Sequence, residues 1–196
     1  MRIGIIGAGN IGGTLGAALG RAGHDVTVGV RSPAGRQVDA AAVAAIADAV
    51  SGAEVVILAL PGGAVEAFLR DHGAELDGVV VIDAANSIGG GGPLHHADAF
   101  AQHAPGALMV RAFNNLGWEN FAEPAFDGER ADHYWCGPEG RASEAAAQVI
   151  TDVGLRPIRV GGPEQIDVVD SVLPLWFALM RAHGHRRHLA FKTLGL

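Results

Sequence analysis

The chain has 196 residues, a formal net charge of −7 and one cysteine, Cys136. That length allows a full hydrophobic core without disulfide staples. The acidic balance excludes nucleic acid or an anionic membrane as the main partner, and the lone cysteine excludes an internal disulfide and points to a reducing cytoplasmic setting. No signal peptide or membrane-length apolar run is visible. Lys192, near the end, is the only lysine, so chemistry built on a central catalytic lysine is disfavoured.

The elements alternate between strand and helix, the pattern of a parallel α/β sheet. Arg2 to Ile6 reads as a buried strand and breaks into Gly7-Ala8-Gly9-Asn10-Ile11-Gly12. A small-residue helix follows to Arg21, with Gly23 after it as a C-terminal cap. In such a turn Gly7 takes the tight bend, Gly9 lets the backbone approach a pyrophosphate, and Gly12 lets the helix lie close to the strand. The free N–H groups at the helix start favour phosphate. The motif alone is weak, but here it stands after a strand and before a helix in a run of β/α units.

Strand two is predicted over Asp25 to Val30. Dinucleotide folds that hold NAD place an acid about 20 residues past the turn, for the ribose 2′-hydroxyl. This chain has Arg31 and Ser32 there, with Arg36 nearby. A guanidinium fork and a hydroxyl suit a 2′-phosphate, so NADP(H) is expected over NAD. Ala40 to Val50 reads as a weakly amphipathic helix, with a third strand reduced or absent.

Further strands are predicted over Glu54 to Leu60, Val79 to Ile82 and Ala107 to Arg111, with a helix from Ala64 to His72. The loop from Asn86 to Pro93 carries four glycines, and Pro93 suits the first turn of a helix to about His103. Leu60-Pro61, Ala84-Ala85-Asn86 and Ala112-Phe113-Asn114 end these strands, on the side where an open parallel sheet binds ligands. Asn86 and Asn114 either hydrogen-bond a carboxamide or carbonyl of the substrates or stabilise turns.

Beyond an irregular aromatic stretch from Phe113 to Phe126, a smaller unit is expected. It has strands at Asp132 to Cys136 and Leu155 to Val160, a helix at Arg141 to Val153, and a long helix from Glu164 to His183 kinked at Pro174. The fold class is therefore a Rossmann-type doubly wound, mostly parallel sheet with a small C-terminal α/β extension. The division falls at residues 1–115 for the dinucleotide-binding domain and 116–196 for the extension. Other features read as structural. His183, His185 and His188 lack the acid or cysteine that would complete a metal site. His95 and His96 read as a solvated helix start, Cys136 as core, and Asp167 with Asp170 as a solvated or interface face.

With these segments in place, the chain resembles the F420-dependent NADP oxidoreductases. The resemblance rests on the glycine turn, Gly29-Val30-Arg31-Ser32, Val56-Ile57-Leu58-Ala59-Leu60-Pro61, Val81-Ile82-Asp83-Ala84-Ala85-Asn86 and Arg111-Ala112-Phe113-Asn114-Asn115-Leu116-Gly117-Trp118. It implies direct hydride transfer between NADP(H) and the deazaflavin coenzyme F420, in a cytoplasmic homodimer, with no dedicated catalytic acid or base. It places Gly7 to Gly12, Arg31, Ser32, Arg36, Leu60, Pro61, Asn86 and Ala112 on the NADP side. The second ring would sit among Asn86, Ala112, Phe113 and Trp118, with Asn86, Phe113 and Asn114 positioning the reactants. The chain departs from the family pattern at Val30, Gly62 and Ser87-Ile88, all near the expected ligands. Another acceptor (a flavin, an imine or ferric ion) and a redox sensor that holds NADP without turnover are the alternatives.

Overall fold

The computed structural model describes residues 1–196. An eight-stranded sheet runs through it. Strand β1 (Arg2–Ile6) leads through the glycine turn into helix α1 (Asn10–Arg21), and β2 (Asp25–Val30) returns beside β1. Next come β3 (Ala42–Ala45), α2 (Ile46–Val50), β4 (Val55–Leu58), α3 (Val65–His72) and β5 (Val80–Asp83). Helix α4 (Ala97–His103), β6 (Leu108–Arg111) and the single-turn α5 (Glu119–Ala122) complete the first half. A two-residue-per-strand hairpin, β7 (Ala125–Phe126) and β8 (Glu129–Arg130), stands apart from the main sheet. Then follow β9 (Asp132–Cys136), α6 (Arg141–Asp152), β10 (Arg156–Gly161), α7 (Ile166–Asp170) and α8 (Val172–Ala182).

The strand order is β10-β9-β6-β5-β4-β1-β2-β3. From β3 to β6 every pairing is parallel, and the order reverses between β1 and β4. That reversal is the switch point where doubly wound sheets open a ligand crevice. Strand β9 pairs antiparallel to β6, and β10 lies parallel to β9. The C-terminal strands therefore extend the main sheet.

Alternation along the central strands builds a core on each face. Ile3, Ile5, Val55, Ile57, Val80 and Ile82 meet Leu15 and Leu19 of α1 on one side. Ile6, Val56, Leu58 and Val81 meet Val65, Phe68 and Leu69 of α3 on the other. Strands buried on both faces read as the continuous apolar runs seen in the sequence.

Three expectations need correction. The stretch from Ala40 to Val50 is a strand followed by a short helix, because the open edge of β2 pairs with Ala42–Ala45 from Thr27 to Val30. An alanine run has little preference of its own, so the template decides. Helix α4 begins at Ala97, well after Pro93, because the His96 N–H donates to Asp83 Oδ2 at 3.2 Å and Ser87 N–H to the Leu94 carbonyl at 3.0 Å. These bonds hold the chain out of a helix until His96 has passed. The long C-terminal helix is broken at Ser171, between α7 and α8. Pro174 has no N–H for the Asp170 carbonyl, and its ring excludes that carbonyl, so it is tolerated only in the first turn of a new helix.

Candidate functional site

The glycine turn has the geometry its spacing predicts. Gly7 sits at φ +111°, where a side chain would also collide with the Ala59 carbonyl. A side chain at Gly12 would strike the Gly7 carbonyl, whereas one at Gly9 would meet nothing within 4 Å. The space in front of Gly9 is thus open to a ligand, while Gly7 and Gly12 are closed by the protein itself. No side chain caps the start of α1, and its first turn carries no acid. The N–H groups of Asn10, Ile11 and Gly12 are left for an anion. Asn10 is exposed, and Ala8 and Ile11 are half-buried.

At the end of β2, Arg31, Ser32 and Arg36 are all exposed. Neither arginine takes part in any ion pair or side-chain hydrogen bond of the structure, unlike Arg21, which pairs with Asp39 at 2.6 Å. Two uncommitted guanidiniums at this strand end, with no acid opposite, fit a phosphate on the ribose. Leu60 is half-buried, and its Cδ2 lies 3.6 Å from where a Gly7 Cβ would stand. Pro61 is exposed. A side chain at Gly62 would press on the Asn86 carbonyl and lie 2.8 Å from Ser87 Cα. Close approach of that loop leaves no room for a side chain at Gly62.

The ends of β5 and β6 are tied together by Arg111, which is 1 % exposed. Arg111 Nε donates to Asp170 Oδ1 at 2.7 Å, and Nη1 donates to the carbonyls of Asp83 and Ala85. Nη2 donates to Asn86 Oδ1 at 2.7 Å, and Asp83 Oδ2 lies 3.1 Å from Nη1. Asn86 Nδ2 in turn donates to the Asn114 carbonyl, and Asn114 Nδ2 to Asp170 Oδ1, both at 2.8 Å. The side-chain groups of Asn86 are therefore engaged by protein. Asn114 is buried with its Oδ1 unpartnered. Each amide nitrogen gives one of its two N–H groups to the protein, so these bonds tie the strand ends together and the second N–H of half-buried Asn86 is left for a ligand.

Ala112 and Phe113 are fully buried. Phe113 takes φ +58°, an unusual conformation for an aromatic residue. Its N–H donates to His133 Nε2 at 2.6 Å, and the imidazole stacks on the phenyl ring at 4.9 Å between centroids. The ring faces the core, so the expected seat for a second flat substrate on Ala112 and Phe113 is closed. Trp118 is half-buried beside α5.

The sequence suggests a solvated helix start for His96 and a solvated or interface face for Asp170, but both are in the polar network at the strand ends. His96 Nδ1 lies 3.0 Å from Asp83 Oδ2, and His96 Nε2 lies 3.0 Å from Ser87 Oγ. Burial pushes the Asp170 carboxyl above the usual carboxylate range, against the pull of Arg111. The histidine departs from expectation because Asp83, at 0 % exposure, needs partners. Arg111 and His133 were not singled out at all. A buried arginine at the end of an apolar strand is the only sequence signal for the first, and His133 carries none. Burial pushes the Cys136 thiol up to about 12, so it is a packed side chain and no nucleophile. His188 stacks on Phe126 at 4.1 Å and bonds the Glu123 carbonyl.

His133 makes stability depend on pH. Full burial lowers its pKa from 6.5 to about 3. The unfolded chain therefore takes up a proton below about pH 6.5 that the folded chain refuses, and stability falls as pH drops through that window. The expected slope from this residue is about 1.4 kcal/mol per pH unit below pH 6. Urea unfolding of the wild type and of His133→Gln at pH 7, 6, 5 and 4 checks this, since the non-titrating variant must lack that slope.

The class that fold and site define is an α/β dinucleotide-binding fold whose glycine turn is open to a ligand at Gly9 and whose strand ends meet at a switch point. Residues 2–87 match the family of NADP oxidoreductases described as coenzyme F420-dependent, so the resemblance read from the sequence holds over that segment. Among solved structures, a protein of Arthrobacter sp. FB24, provisionally named an F420-dependent NADP-reductase, is 25% identical. The match covers 98% of this chain and 99% of that one, with a TM-score of 0.83. A hypothetical protein of Sinorhizobium meliloti, SMa0349, is 26% identical over 83% and 85% of the two chains, with a TM-score of 0.71. The pyrroline carboxylate reductase of Plasmodium falciparum, whose structure holds NADP, shares the fold at 8% identity and a TM-score of 0.65; the match spans 65% of its length. No curated protein matches this chain.

Proposed function

We propose that this chain is an NADP(H)-dependent oxidoreductase that exchanges a hydride with a flat second substrate, the deazaflavin coenzyme F420. The observation that carries the cofactor assignment is the pairing of an open Gly9 turn with uncommitted Arg31 and Arg36 and no acid at the end of β2. The N–H groups of Asn10 to Gly12 would hold the pyrophosphate. Arg31, Ser32 and Arg36 would hold the 2′-phosphate. Leu60, Pro61 and the Asn86 loop would border the nicotinamide, which supplies a hydride from C4 when bound. Arg111 keeps that border rigid by bonding Ala85 and Asn86. Catalysis by placement of two rings needs such rigidity, because small displacements of reacting atoms are costly.

The deazaflavin assignment rests on the family description and the Arthrobacter neighbour. The second reading is another acceptor, a flavin, an imine or ferric ion; burial of Ala112 and Phe113 favours the imine or ferric ion among these, because a flavin has the same tricyclic shape as the deazaflavin. A sensor that binds NADP without turnover is the third. The test is NADPH oxidation by purified protein with F420, FMN, FAD, a ferric chelate and a cyclic imine in parallel. A rate with F420 above all others is expected. No rate with F420 beside a clear rate with another acceptor overturns the deazaflavin reading, and tight NADPH binding with no acceptor turned over leaves the sensor.

We also infer a cytoplasmic homodimer. Val172, Leu175 and Leu179 fall at helical spacing along α8, and Leu175 and the neighbouring Val168 of α7 are each 51 % exposed, so an apolar surface is left for a second copy. No helix is long and apolar enough to cross a membrane.

A further inference from the structure

Reducing a conjugated acceptor takes a hydride at carbon and a proton at nitrogen. A chain that only positions two rings leaves the proton unassigned. At the end of β5, three side chains stand in series. Ser87 Oγ is 3.0 Å from His96 Nε2, and His96 Nδ1 is 3.0 Å from Asp83 Oδ2. Asp83 is fully buried and its carboxylate is held from several sides: the Ala85 N–H donates to Oδ1, the His96 N–H donates to Oδ2, and Arg111 Nη1 stands 3.1 Å from Oδ2. A carboxylate so fixed accepts from Nδ1–H, so Nε2 faces Ser87, as an acceptor in the neutral ring and as a donor in the imidazolium. The His96 side chain is 7% exposed, whereas Ser87 is half-exposed. Ser87 is thus the one member of the series with access to solvent and ligand. It lies against Gly62 of the β4 end, beside the position expected for the nicotinamide.

We propose that Ser87, His96 and Asp83 form a proton relay that serves the second substrate at the nicotinamide end of the crevice. The inference rests on the oxidoreductase reading above. As the acceptor carbon takes a hydride and the electron pair of its C=N system moves to nitrogen, that nitrogen takes the Ser87 hydroxyl proton. His96 enters this step as the imidazolium, with a proton on each nitrogen, and Ser87 Oγ takes the one on Nε2 at the same time. His96 is left neutral with Nδ1–H on Asp83, and water restores its proton. The sum is NADPH, acceptor and one proton giving NADP⁺ and reduced acceptor. In the reverse direction the same groups remove the proton. The charged groups around His96 are Asp83 on β5 and Arg111 on β6, with Asp170 on α7 and the His95–Asp167 pair next to them. The serine hydroxyl suits this task because it can donate to one partner while accepting from another.

The test uses the full-length protein, Ser87→Ala and His96→Gln. With F420 as acceptor, Ser87→Ala should lower kcat about 100-fold, within the range of general acid catalysis, while NADPH affinity by fluorescence titration changes less than about twofold, as expected where ground-state binding is untouched. The wild-type reduction rate should fall toward high pH, where the relay has no proton to give, and His96→Gln should lose that limb. Independently of turnover, Ser87→Ala should move the His96 Nε2 resonance, read by imidazole ¹⁵N NMR, in the NADPH-free protein. An active wild type whose Ser87→Ala variant keeps its kcat, its pH profile and its Nε2 resonance overturns the relay. So does a loss of kcat matched by an equal loss of NADPH affinity, which marks a structural role. A wild type that turns over no acceptor instead overturns the oxidoreductase reading.

Discussion

Replacing Arg111 with methionine is expected to cost about 3–5 kcal/mol of stability, the range for removing one partner of a buried ion pair. The side chain is 1 % exposed and stands between Asp170 Oδ1 at 2.7 Å and Asp83 Oδ2 at 3.1 Å. Without the guanidinium, two carboxylates remain in the interior with no cation between them, and the carbonyls of Asp83 and Ala85 lose their donors. Arg111→Lys should recover less than half of the loss, because one ammonium lacks the fork that reaches Asp170, Ala85 and Asn86 together. Adding Asp170→Asn to the methionine variant should restore part of the loss by removing one charge. Urea denaturation midpoints read all four proteins, and a loss below about 1 kcal/mol for the methionine variant would show that the network carries little weight.

The largest effect on binding is expected at Arg31. Arg31→Ala should weaken NADPH by about 10- to 150-fold, equivalent to about 1.5–3 kcal/mol for a hydrogen bond to a charged group. NADH, which has no 2′-phosphate, should change less than about twofold, because the remaining contacts to turn and strand ends are common to both nucleotides. The residue is exposed and unpaired, so its removal should leave stability within about 0.5 kcal/mol. Arg31→Ala with Arg36→Ala should lose more than either alone. Fluorescence titration of both nucleotides against the single and double variants reads the difference. Equal weakening of NADPH and NADH would mean that Arg31 does not read the 2′-phosphate.

The parts of the site that the sequence displayed are those made by the backbone over short spans. Gly7, Gly9 and Gly12 do their work within six residues, so their spacing already contains the geometry. The continuous apolar runs of β1, β4 and β5 are buried on both faces of a parallel sheet, and no other common arrangement suits them. Arg31 lies at the end of β2, a position counted from the turn, and its exposure follows from being there. For these features local rules suffice.

What escaped the sequence depends on partners far along the chain. His96 and Asp170 look like surface residues until β5 and β6 bring Asp83 and Arg111 to them, across 13 and 59 residues. Phe113 looks like a platform for a flat ring, but His133, 20 residues later, takes its N–H and turns the phenyl group into the core. The strand at Ala42–Ala45 exists because β2 offers an edge to pair with. A buried charge or N–H must find a partner somewhere, and composition cannot say where. The sequence by itself thus determined the doubly wound sheet, the glycine turn and the arginine-bearing strand end, since each follows from spacing and chain direction. Only the tertiary structure decided which polar residues leave the surface to build the Arg111 network and the Ser87–His96–Asp83 series, because burial sets the need for partners and the topology supplies them.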